Sequence, residues 1–199
     1  MLRATWRRGR AALLSASGGA DQEALDGLRA QVKRRLSRPP QGGSLLDYET
    51  WAKEAHPAVT RAWATEHEQG VGSVIVRVVC DNAESPIPTV EVLEAVAAYI
   101  SLRRPAGRRS VYILPPVELE VVYQIRLKPD GLAARGAVET ELRDLHRREG
   151  TPGGRLLISH IREAISTAPG EDDHELIYPA ADLVPAVGEL PLFGGVSWQ

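Results

Sequence analysis

Between Val117 and Leu127 every odd-numbered residue is apolar: Val117, Leu119, Val121, Tyr123, Ile125 and Leu127. Glu118, Glu120, Gln124 and Arg126 fill the even positions, with Val122 the one exception. A period of two sends alternate side chains to opposite faces of a strand, so this segment predicts a strand with one face buried and one solvated. The apolar face needs a cover, and the next segments offer one. After the turn Lys128-Pro129-Asp130-Gly131, the residues Ala134, Val138, Leu142 and Leu145 recur at helical spacing. Beyond Gly153-Gly154, a shorter helix carries Ile161, Ala164, Ile165 and Ala168 at i, i+3, i+4 and i+7 before Pro169-Gly170 closes it. Two further strands are predicted around His174–Tyr178 and Leu192–Trp198.

Upstream, Asp21 caps a predicted helix in which Leu25, Leu28, Val32 and Leu36 share one face and Arg29, Lys33 and Arg34 lie opposite. Pro39-Pro40 ends it, because the ring removes a donor and restricts the preceding residue. Ser44 with Asp47 forms a capping pattern for a second helix that buries Leu45, Tyr48 and Trp51 and stops at His56-Pro57. Val59–Glu66, alternating weakly around Trp63, and the more continuously apolar Ser73–Cys80 read as two strands joined by Gly70-Val71-Gly72 in a hairpin. The second is the more central. Thr89 then caps a helix with Val92, Val96, Tyr99 and Ile100 inward, ended by Arg103-Arg104-Pro105, where arginines suit the helix dipole. Val111–Leu114 is a further strand.

The order αα, ββαβ, βααββ predicts an α+β (mixed α/β) chain of two small sheet-plus-helix domains preceded by a helix–loop–helix. Each sheet is expected to be antiparallel or mixed, with helices on one face. The expected divisions are a basic, unstructured leader at 1–20, the helix–loop–helix at 21–57, a first small α/β domain at 58–115 and a second at 116–199. Pro115-Pro116 is a rigid extended link between the last two.

Composition narrows function mainly by exclusion. At 199 residues, with 43% hydrophobic and 25% charged residues, the chain can build one sizeable domain or two small ones. The lone Cys80 ends an apolar run, where a buried, inert thiol is expected and no intrachain disulfide is available. No apolar stretch approaches the roughly 20 residues of a membrane span. The Arg-rich start has only about four apolar residues where a secretory signal needs about 7–15, so a cytoplasmic location is expected. Charge is laid out unevenly. Residues 1–40 hold nine Lys/Arg against three Asp/Glu, whereas residues 163–199 hold seven acids and no Lys or Arg. Such asymmetry marks interaction surfaces. We take Arg34, Arg35 and Arg38 at one end, and Glu171, Asp172 and Asp173 at the other, as candidate interaction residues.

Constellations for chemistry are sparse. The five histidines (His56, His67, His146, His160, His174) show no paired metal-ligand spacing, and HExxH and CxxC are absent. Asp172-Asp173-His174 is the one dense polar cluster competent to ligate a divalent cation, but acids after Pro169-Gly170 also simply solvate a turn. Glu118 and Glu120 share a strand face predicted to be solvated, which lacks the desolvation that would split a catalytic pair. The Gly-Gly pairs lack phosphate-loop grammar, and no serine sits in a nucleophile elbow. Neither catalytic, cofactor nor metal residues are therefore assigned. The basic start, with Trp6 beside Arg7-Arg8, is the only segment suited to nucleic acid, and its charge is not spread over a folded face.

Several strings do carry a resemblance. They are Arg38-Pro39-Pro40-Gln41-Gly42-Gly43-Ser44 followed by Asp47, Tyr48 and Trp51-Ala52, then Ala168-Pro169-Gly170 and Asp172-Asp173-His174. Pro179-Ala180-Ala181-Asp182-Leu183, Gly188-Glu189-Leu190 and Gly194-Gly195-Val196-Ser197-Trp198 complete the set. Together they resemble the baseplate J-like proteins of contractile phage tails, over roughly Gly18 to Trp198. The resemblance implies a structural part of the wedges around a tail hub, in a phage, prophage or related contractile injection device. Such a part packs against neighbouring wedge proteins and copies of itself. It catalyses no reaction and needs no cofactor or small-molecule substrate, and it is made in the bacterial cytoplasm before assembly into the virion baseplate.

Members of that family usually carry a substantial portion before the segment matching Gly18-Gly19-Ala20-Asp21, where this chain has an Arg-rich stretch of about twenty residues. A truncated gene, an alternative start and a split version all fit that difference. Two other readings therefore stand beside the assembly protein: a small nucleic-acid-binding or regulatory protein using the basic start, and a non-functional truncated prophage remnant.

Overall fold

The computed structural model describes residues 43–105 and 110–199. The helix predicted from Asp21, the basic leader, and Arg34, Arg35 and Arg38 lie outside the described residues. Helix α1 (Leu45–Ala55) begins with a reciprocal capping box: the Ser44 hydroxyl accepts from the Asp47 N–H at 3.2 Å, and the Asp47 carboxylate accepts from the Ser44 N–H at 3.0 Å. The same carboxylate accepts from the Gly43 N–H at 2.8 Å. Two of the donors left over at this helix start are thereby satisfied. The helix ends at His56, ahead of Pro57 as predicted.

Strands β1 (Arg61–Glu66) and β2 (Ser73–Val79) form the expected antiparallel hairpin, and β3 (Ser110–Leu114) joins β2 in parallel. The order is β1-β2-β3, with the most apolar strand in the centre and buried along its whole length. Helix α2 (Val90–Arg103) and α1 cover one face. Val74, Val76 and Val78 of β2 meet Tyr48 and Ala52 of α1 and Val92, Val96 and Ile100 of α2 in one core.

The second sheet is centred on β4 (Val117–Lys128), which pairs antiparallel with β5 (Asp173–Tyr178) and parallel with β6 (Glu189–Trp198). Helices α3 (Leu132–Glu149) and α4 (Ile158–Ser166) pack over its odd-residue face. Val121, Tyr123, Ile125 and Leu127 meet Ala134, Val138, Leu142, Leu145, Ile161, Ala164, Ile165 and Ala168, the helical residues expected from spacing. Both sheets are thus mixed, each with its own core. Among the described residues no helix is long and apolar enough to cross a membrane.

Four side chains depart from the expected pattern. Val117 is 59% exposed despite its odd position. The last turn of α3 reaches Pro191, the partner of Leu119, and Val117 lies beyond the end of that helix. In β1 the buried residues are Ala62 and Ala64, which join the core with α1, while Trp63 faces the other way beside Arg61. Tyr99 is half-exposed, its hydroxyl donating to Glu54 at 3.1 Å with the Arg103 guanidinium 3.4 Å from its ring centre. Thr89 stands at the start of α2 without making a side-chain cap bond.

Candidate functional site: the joint between the sheets and the charged surfaces

The face of the first sheet turned away from α1 and α2 carries Arg61 and Arg77, and both reach residues of the second sheet's unit. Arg61 grips Asp81 with two bonds, Nε to Oδ2 at 2.8 Å and Nη2 to Oδ1 at 2.7 Å. Its remaining nitrogen, Nη1, donates to the Arg147 carbonyl at 2.9 Å and the Gly150 carbonyl at 2.8 Å, at the end of α3. The guanidinium also lies 5.1 Å from the centre of the Trp63 ring. The Thr60 hydroxyl donates to Asp81 Oδ2 at 2.6 Å. Burial disfavours the Asp81 carboxylate, but hydrogen bonds from Arg61 and Thr60 outweigh it and hold the group below the usual carboxylate range. In return, Arg147 donates to the Asp81 carbonyl at 3.0 Å.

Arg77 is the second such residue. It interrupts the apolar run of β2 and is 9% exposed, so it needs a counter-charge. Glu68 provides it through a two-bond fork, at 2.8 and 2.7 Å, and the Thr65 hydroxyl also bonds Glu68. The Arg77 hydrogen bond is the main reason the Glu68 carboxyl is held low. Over this guanidinium lies Gly188, where a β-carbon would stand 2.7 Å from Arg77 Nη2. Sequence reading missed both arginines as site residues, although a lone arginine inside Val74–Val79 is itself a signal of a buried ion pair.

The acidic candidates lie between α4 and β5. Glu171 bonds His174 Nδ1 at 2.8 Å, Asp172 is exposed, and Asp173 begins β5. Glu175, on the next outward position, pairs with Arg126 at 2.8 Å. Glu171 and Glu175 are therefore already engaged within the fold. Among the described residues no group of three or more His, Cys, Asp or Glu could hold a metal ion. Glu118 and Glu120 are both exposed, as expected of the even face. Cys80 is buried, and that burial pushes its thiol up, away from the reactive thiolate.

The strings behind the resemblance hold the fold together. Besides Ser44, Asp47, Tyr48 and Ala52 in and around α1, Asp182 accepts the Ile158 N–H at 2.8 Å and so caps α4 from a distant loop. Leu183 and Leu156 exchange two backbone bonds of 2.9 Å. Glu189 accepts the Gly153 N–H on its carbonyl at 2.8 Å, and its carboxylate accepts from the Ala186 N–H at 2.8 Å. Gly194 and Gly195 sit where the β4–β6 register shifts.

Comparison with known proteins agrees with this pattern. The family model of the baseplate J-like central domain matches residues 40–115, and that of the baseplate J-like protein C-terminal domain matches residues 121–199. The chain belongs to the baseplate J-like family. It is 39% identical over 182 residues to protein JayE of Escherichia coli, covering 92% of this chain and 69% of that protein. It is 36% identical to the Mu-like prophage FluMu protein gp47 of Haemophilus influenzae and 31% identical to baseplate protein gp47 of Escherichia phage Mu. Each of these alignments runs over 192 residues, 92% of this chain and 53% of the relative. The chain thus spans about half the length of the two gp47 proteins. Its fold also resembles a chain in the cryo-EM structure of the anti-feeding prophage baseplate, with a TM-score of 0.62 at 10% identity over 88% of this chain and 42% of that one.

Proposed function

We propose that this chain is a non-catalytic structural component of a phage or prophage contractile-tail baseplate, working by docking on other baseplate proteins. The observation that carries this reading is the duty of the signature residues. Ser44, Asp47, Asp182, Gly188 and Glu189 cap helices, brace a loop or cover an ion pair. These residues are used within the fold, which fits a function that rests on presenting shaped surfaces. The division of the chain at Pro115-Pro116, and assembly in the host cytoplasm before incorporation into the virion, belong to the same proposal. So does head-to-tail contact of Arg34, Arg35 and Arg38 with Glu171, Asp172 and Asp173 of another copy.

The test is genetic and visual. Deleting the gene from an inducible phage or prophage should abolish complete baseplates in electron micrographs, and supplying the chain from a plasmid should restore them. Normal tails after deletion would refute the proposal. Gel shift with duplex DNA at low salt separates it from the nucleic-acid reading, for which binding through the Arg-rich start is the requirement.

A further inference from the structure

We infer that the two sheet units are locked into one rigid body by Arg61, which acts as a cap for α3 supplied from the opposite sheet. This goes beyond the baseplate reading and stands without it. A helix leaves its last carbonyls without intrahelical partners, and they form the negative end of its dipole. At the end of α3 the Gly150 N–H turns back to the His146 carbonyl at 2.9 Å. The Arg147 and Gly150 carbonyls both receive Nη1 of Arg61. A guanidinium is a planar fork, so fixing one edge aims the rest. Asp81 holds the Nε–Nη2 edge, Thr60 holds Asp81, and Nη1 is left pointing at the helix end.

The bonding runs in both directions. Arg147, from the last turn of α3, reaches back to the Asp81 carbonyl. A second contact lies two register steps away on the same face, where Arg77 and its Glu68 fork are roofed by Gly188, the residue before β6. The covalent crossing at Pro115-Pro116 is pinned beside it by the Val117 N–H donating to the Gly188 carbonyl at 2.9 Å. Domains joined by a short polar interface ordinarily move relative to one another. Here two ionic contacts and a stiff link act at separate points, so a load on one sheet passes to the other without a hinge.

Residual dipolar couplings of the backbone N–H groups in the full 199-residue chain test this. In the wild-type chain one alignment tensor should reproduce the couplings of both sheets. Two tensors of different magnitude would overturn the inference outright. Arg61→Ala should split the single tensor into two, and one unchanged tensor would remove Arg61 as the lock. Should Arg61→Ala give no folded protein, Arg61→Gln, which keeps the aliphatic stem but lacks the guanidinium fork, carries the same comparison with the same two outcomes. Arg126→Ala, which breaks the ion pair with Glu175 on the far face, should keep one tensor. If it splits the tensor equally, the lock is not at the joint and the inference falls.

Discussion

The hydroxyl of Tyr123 lies 2.7 Å from Nε2 of His146, and both side chains are buried. Nδ1 of the same ring is 2.9 Å from the Pro191 carbonyl, which can only accept. Nδ1 therefore carries a proton, and in the neutral imidazole that burial favours, Nε2 accepts from Tyr123. One ring thus ties the centre of β4 to β6 at the last turn of α3. Burial is the main reason the His146 pKa falls below that of an ordinary histidine. The Arg61 charge adds to that fall, and the bond to Pro191 opposes it.

This predicts loss of stability on mild acidification. A folded pKa below the unfolded one means that the unfolded chain takes up the proton first. The His146 contribution is then complete above about pH 6.5 and is lost as pH falls from there toward the folded value. His160 works the other way: Glu149 raises its pKa, so its contribution is present at low pH and lost as pH rises. Melting temperatures of wild type and His146→Gln across pH 5 to 8 isolate the first effect. The wild type should fall more steeply below pH 6.5, whereas parallel curves would remove His146 as the cause.

The two faces of β4 should respond oppositely to charge. Val121→Asp or Ile125→Asp puts a carboxylate among α3 and α4, at a cost of several kcal/mol, enough to unfold or aggregate the chain. Gln124→Asp, on the exposed face, should change stability by no more than about 1 kcal/mol. Equal effects in thermal melts would contradict the register.

Two glycines make a similar pair. Gly188 has φ +87° and no room for a β-carbon beside Arg77, so Gly188→Ala should destabilise by about 1–3 kcal/mol. Gly136 lies exposed inside α3 with nothing within 4 Å of its would-be β-carbon. Gly136→Ala should therefore stabilise the chain by about 0.4–1 kcal/mol through helix propensity and chain entropy. Urea titration of both variants checks the signs.

If copies meet head to tail through their charged ends, self-association followed by sedimentation should weaken from low salt to about 0.5 M, as screening shortens to a few ångströms. Replacing Glu171, Asp172 and Asp173 together with Gln, Asn and Asn should mimic high salt. Because Glu171 also bonds His174, the Asp172 and Asp173 pair changed alone is the cleaner variant. A chain that stays monomeric at every salt concentration would eliminate this contact.

Local rules were enough for much of the molecule. Period two in Val117–Leu127, period 3.6 in α3 and α4, and the Ser44–Asp47 cap are properties of neighbouring residues, so the elements and most of their inward faces were legible from the chain alone. The same holds for β2 as a central strand, since a run apolar at most of its positions needs cover on both sides. The resemblance to the baseplate J-like family was legible as well, though not what its residues do.

Tertiary structure alone decided the pairings across distance. Arg61 meets the end of α3 across 86 and 89 residues of chain, and His146 meets Pro191 across 45. Spacing carries no signal at such separations, because the partners are brought together by the packing of whole sheets. Composition showed that charge was unevenly spread, but not that Glu171 would turn to His174, Glu175 to Arg126, or Arg77 to Glu68. An ion pair depends on which faces meet and how far water is excluded, and those are consequences of the assembled fold.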